Sequence, residues 1–133
     1  MSIFLDASYF LALNNLNDVH YQNAKNICQK IDNNEYGEIF ITDHIFDEII
    51  SVALRKWGKK QALEIGKNAS ETTTLIITDS HLTNETWKLF QKTHLTLNFT
   101  DCNSFLTCQS FGIQHIATFD KEFKNTSLKV ISE

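Results

Sequence analysis

The sequence predicts an α/β fold in three layers, α/β/α, built around a central, mainly parallel sheet. Short apolar runs alternate with amphipathic helical stretches along the chain, as parallel β-α units require. The joins between them are brief. Carboxylates stand at several strand-to-helix junctions, where an open parallel sheet gathers its ligand-binding residues.

In order, Ser2 to Leu5 is a short apolar strand that ends on Asp6, and Ala7 to Leu13 follows as a helix. Asp18 is placed to cap a helix whose apolar face carries Val19, Ala24, Ile27, Cys28 and Ile31, with Asn33 and Asn34 ending it. Ile39 to Thr42 is the second strand. Asp43 is placed to cap the next helix, through Ile45, Ile49, Ala53 and Leu54, which carries Glu48 within its first two turns. Lys59 to about Asn68 reads as a helix, Thr72 to Thr78 as a β-branched strand, and Asp79 or Ser80 as the cap of a helix bearing Leu82, Trp87, Leu89 and Phe90. Leu95 to Phe99 reads as an extended lead-in. A helix from about Asn103 to Phe111 is then capped by Thr100 or Asp101 and stopped by Gly112. Ile113 to Phe119 is a buried strand closing on Asp120, and Leu128 to Ile131 is the last strand.

Composition narrows the class. A chain of 133 residues with 42% hydrophobic content and no long apolar run is expected to form one domain spanning 1–133, with a proper core and no membrane span. Met1 to Asp6 lacks a basic segment and meets a charge at once, so no signal peptide is expected and the location reads as cytoplasmic. The three cysteines lack C-x-x-C spacing, which favours reduced thiols over a disulfide or a zinc site. A formal charge of −4 argues against polyanion binding by the whole surface, and leaves room for a local basic patch. With only four glycines, the chain builds neither a P-loop nor a dinucleotide loop.

Asp6, Glu48, Asp101 and Asp120 are too far apart in sequence for a local calcium loop, so only the fold can bring them together. Carboxylates converging in a dry crevice repel one another and hold extra protons unless a cation neutralises them. An all-oxygen set with no His or Cys cluster selects hard ions, Mg²⁺ or Mn²⁺. Such ions suit phosphoryl chemistry, where they activate water and stabilise a leaving oxygen.

Phe4-Leu5-Asp6-Ala7-Ser8, Phe40-Ile41-Thr42 ahead of Phe46-Asp47-Glu48-Ile49-Ile50, Phe99-Thr100-Asp101, and Thr118-Phe119-Asp120-Lys121-Glu122-Phe123 together resemble a PIN-domain ribonuclease, with the VapC-like toxins of toxin–antitoxin modules as the nearest group. The resemblance covers essentially the whole chain. It implies Mg²⁺- or Mn²⁺-dependent cleavage of RNA, including transfer or ribosomal RNA, with a cognate antitoxin as partner and a homodimer as the assembly. Position by position, Asp6, Glu48, Asp101 and Asp120 match the family's acidic quartet as catalytic residues and metal ligands, and Ser8 and Thr118 match its helper hydroxyls. Ala7 stands where Thr or Ser commonly follows the first Asp, and Asp43 where Thr-Ser is frequent.

Each signal has a plainer reading. Asp6 and Asp101 sit where any helix welcomes a capping carboxylate, Asp120 where a turn begins, and Glu122 is as well explained as a solvated charge. Arg55, Lys56, Lys59 and Lys60 form the densest basic cluster and read first as a solvated helix end. His20, His44, His81, His94 and His115 show no ligand spacing. The alternative function is a non-catalytic PIN-like module that binds RNA or a protein. A receiver-like domain also collects acids at strand ends, but no central strand here ends on a lone phospho-acceptor.

Overall fold

Five strands form one parallel sheet in the order β3-β2-β1-β4-β5 in the computed structural model, which describes residues 1–133. They are β1 (Ser2–Leu5), β2 (Glu38–Thr42), β3 (Thr74–Ile76), β4 (His115–Ala117) and β5 (Lys129–Ile131). Six helices connect and cover them: α1 (Ala7–Leu13), α2 (Tyr21–Asp32), α3 (Asp43–Trp57), α4 (Lys59–Thr72), α5 (Ser80–Lys92) and α6 (Phe99–Phe111). A short 3-10 turn (Lys121–Asn125) precedes β5. The expected three-layer α/β/α architecture is present, with every strand pairing parallel.

Burial explains the layering. Consecutive strand residues point to opposite faces, and Ile3, Phe4 and Leu5 are all buried, so β1 is covered on both sides. The core continues through Ile41, Ile45 and Ile49 on one side of β1 and through Ile116 and Phe123 on the other. Removing a side chain such as Phe4, which is fully buried, would cost about 3–5 kcal/mol through lost transfer energy and the cavity left behind. No helix is long and apolar enough to cross a membrane.

The order of strands creates the site. The chain leaves β1 for β2 and β3 on one flank, then crosses to β4 and β5 on the other, so the direction of winding switches between β1 and β4. At such a switch point the loops beyond the strand ends diverge and leave a crevice. Leu5 pairs with Ala117 across the β1–β4 junction, and the Asp6 N–H donates to the Ala117 carbonyl at 3.0 Å. Asp6 and Thr118 are therefore held side by side at the crevice floor.

Several local expectations are corrected. Asp18 accepts the His20 N–H at 2.8 Å and shapes the turn before α2; the helix starts later, at Tyr21, and His20 holds its cap position without a side-chain bond. Thr42, the last residue of β2, caps α3 by accepting the Ile45 N–H at 3.3 Å. Asp43 instead accepts the Thr78 N–H at 2.9 Å and ties α3 to the segment after β3. α4 runs on to Thr72, which shortens the expected third strand. Asp79, rather than Ser80, caps α5. α6 begins at Phe99 instead of Asn103, so the non-helical lead-in ends at Asn98, which is extended, and the cap is Asn98, not Thr100 or Asp101. The stop at Gly112 is as expected, since its left-handed φ of +68° is one that glycine adopts without strain.

Candidate active site

Asp6 occupies the N-cap position of α1, yet its side chain makes no capping hydrogen bond to that helix. Its Oδ2 accepts from Thr118 Oγ1 at 2.7 Å and from Ser8 Oγ at 3.0 Å. Those two hydroxyls accept in turn from the backbone, Thr118 from the Asp120 N–H and Ser8 from the Phe119 N–H, both at 3.0 Å. A hydroxyl has one proton to give. With backbone donors behind them, both hydroxyls can spend that proton on Asp6, which fixes the carboxylate rotamer. Capping therefore does not explain Asp6.

Asp101 combines two tasks. It is the third residue of α6, where its Oδ2 accepts the Asn98 N–H at 3.0 Å while Asn98 Oδ1 accepts the Asp101 N–H at 2.8 Å. This reciprocal capping box secures the helix start and uses one carboxylate oxygen. Asp120 caps the 3-10 turn by accepting the Glu122 N–H at 2.9 Å. Glu48 lies on α3, half-buried, beside the exposed Asp47. Glu122 accepts the Thr96 N–H at 3.3 Å, which fastens the loop before α6 to the loop after β4.

Electrostatics links the four acids. Burial raises the pKa of Asp6, the Thr118 and Ser8 hydroxyls and the Ala7 amide oppose that rise, and the Asp120 charge adds to it. Burial also pushes Asp101 up to about 7; the Asn98 N–H opposes the rise, and the charges of Asp6, Asp120 and Glu48 reinforce it. Glu48 is raised by burial first, then by Asp6 and Asp47. Each of the four expected acids thus lies in the field of at least one other. Perturbations of this origin, in a crevice, mark groups arranged for chemistry more often than for stability alone.

The profile of the PIN domain matches residues 3–129. The chain belongs to the PIN-domain family. Among curated proteins, none matches the sequence. Solved PIN-like structures share its fold: the Mycobacterium tuberculosis toxin VapC20, which cleaves the sarcin-ricin loop, aligns with a TM-score of 0.83 at 22% identity over 92% of this chain and 93% of its own. A chain of Rickettsia felis VapBC2, bound to a DNA fragment from their promoter, aligns at 0.71 and 17% identity, covering 98% and 97%. PAE2754 of Pyrobaculum aerophilum aligns at 0.65 and 16% identity, covering 98% and 90%.

The acids of this PIN domain fit a hard divalent cation by donor chemistry, since carboxylate oxygens are the groups such ions prefer. No three His, Cys, Asp or Glu side chains stand close enough to form a ready cage. Uncompensated carboxylates work against closer approach, because each charge disfavours the next. Ser8 gives Asp6 a hydroxyl next to Ala7, and Asp43 has a structural bond of its own. Sequence reasoning missed Asn98, although Asn98-x-x-Asp101 carries the spacing of a capping box.

Proposed function

We propose that this chain is a single-domain, metal-dependent endoribonuclease, acting as the toxin of a toxin–antitoxin pair. Asp6, Glu48, Asp101 and Asp120 are the catalytic residues and the metal ligands, with Ser8 and Thr118 holding Asp6 in position. The observation that carries this reading is the Asp6 carboxylate, which forgoes its helix cap and is oriented by two hydroxyls, each backed by a backbone N–H. The fold, shared with a VapC toxin that cleaves the sarcin-ricin loop and with VapBC2, supports the same class of substrate and partner.

A bound Mg²⁺ or Mn²⁺ would supply charge neutralisation for the phosphodiester and a lowered pKa for water. The chain's own residues prepare for this. Ser8 and Thr118 fix one oxygen of Asp6, and the capping box fixes one oxygen of Asp101. Asp101, pushed up to about 7, would hold a cation in its deprotonated form. Glu48, from a different helix, completes the site and orients the nucleophilic water.

Cleavage of a mixed RNA pool in Mg²⁺ or Mn²⁺, with EDTA and Asp6→Asn controls, tests the reading. Cleavage lost in both controls is the expected outcome. Cleavage indifferent to Asp6 would remove its basis.

A further inference from the structure

Past Asp120, on the side away from α3, a cavity of about 140 Å³ opens between α2, the 3-10 turn and the C-terminal end of β5. Its lining sets basic and polar groups, His20, Asn23, Lys121, Lys124 and Ser132, against an apolar wall of Phe119 and Val130, with Asp120 at the edge shared with the carboxylates. The His20 ring lies flat on the Phe119 ring, with centroids 4.4 Å apart and planes 3° from parallel, and the Asp18 carboxylate holds the His20 backbone. This stack makes a fixed wall. Lys121 and Lys124 are free of carboxylate partners, since the protein's one ion pair joins Lys88 to Glu85. Two unpaired ammonium groups converge here on a chain whose net charge is −4.

The cavity is mechanically joined to the carboxylates. Residues 118–120 form its edge, and the same three residues orient Asp6 through the Thr118 hydroxyl and the Phe119 and Asp120 amides. A strand threaded past Asp6 and Asp120 would carry its neighbouring phosphate into this space. The donors there are ammonium, carboxamide, imidazole and hydroxyl, and against them stands a single carboxylate, Asp120. That is the composition of an anion site.

We propose that this cavity is a subsite for the RNA phosphate next to the scissile one, with Lys121 and Lys124 supplying its charge and Asn23 and Ser132 its hydrogen bonds. The inference rests on the ribonuclease reading. It makes Lys121 and Lys124 substrate-positioning residues that act on binding and leave the chemical step to the carboxylates.

Two measurements test it. In the first, the Lys121→Gln/Lys124→Gln protein raises KM for RNA about tenfold with kcat little changed, and its plot of log affinity against log salt is shallower by about 0.7, the loss of one single-strand phosphate contact. The Lys121→Arg/Lys124→Arg protein restores both. In the second, uridine monophosphate shifts the NMR amide signals of Asn23, Lys121, Lys124 and Ser132 in the wild type and not in the double Gln variant. RNA cleavage with KM and salt slope unchanged in that variant overturns the subsite while the ribonuclease stands. Nucleotide-induced shifts at the cavity in a protein that cleaves no RNA support the phosphate site and remove the ribonuclease.

Discussion

Replacing Asp101 with Asn removes a charge that burial and three neighbouring carboxylates disfavour while keeping the shape the fold needs. The Asn oxygen can still accept the Asn98 N–H, so the capping box survives. The native carboxyl titrates at about 7 against 3.8 for the free side chain, so ionising it in the folded protein costs roughly 4 kcal/mol more than in water, at about 1.4 kcal/mol for each tenfold change in proton affinity. Solvent at the crevice mouth screens the charge and brings the usable part to about 1–2 kcal/mol. The sign follows from proton binding. Between pH 4 and 7 the native state holds a proton that the unfolded chain has lost, so wild-type stability falls as pH rises through that window. Urea denaturation in EDTA should show Asp101→Asn about 1–2 kcal/mol more stable than wild type at pH 8 and nearly equal at pH 4. A variant that is less stable at pH 8, or a difference that ignores pH, would refute the electrostatic account of the site.

The remaining predictions use the same geometry. Ser8→Ala and Thr118→Val each free Asp6 Oδ2 from one donor, and each should lower kcat about tenfold or more with circular dichroism unchanged; full activity in the double variant would show that orientation of Asp6 is unimportant. Asn98→Ala removes the cap of α6 and should cost about 1 kcal/mol in denaturation, with a larger loss of activity than Thr93→Ala, a substitution in the preceding loop. Mn²⁺ affinity measured by calorimetry should climb with pH up to about 7 and level off above it, since Asp101 must release its proton to bind; a flat profile from pH 5 to 8 would separate Asp101 from the metal.

Much of the fold is legible in the chain because parallel strands buried on both faces read as short apolar runs, as β1 does along most of its length and β2 at its C-terminal end. The acids were legible by position: Asp6 ends such a run, Asp120 follows one, and both stand at punctuation points. Helix starts were harder. Thr42 and Asp43 are both good caps, and the choice fell to Thr42 because it is the residue in extended conformation; Asp43 then bonded to Thr78, a partner 35 residues away that no local pattern reveals. The alternation of Leu95, Leu97 and Phe99 imitates a strand, and it concealed the capping box that starts α6 immediately afterwards. Nor does the sequence say how far each carboxyl will be pushed. That depends on how completely the fold buries Asp6 and Asp101 and how near it brings the other acids, a property of packing alone.

The most direct test of the central claim is single-turnover RNA cleavage in Mn²⁺ by the wild type and by Asp6→Asn, Glu48→Gln, Asp101→Asn and Asp120→Asn, with folding of each checked by thermal melting. If the four carboxylates act as one site, every amide variant stays folded and loses at least about a hundredfold in rate. Near-wild-type cleavage by any one of the four would take that residue out of the site, and near-wild-type cleavage by Asp6→Asn would contradict the account as a whole.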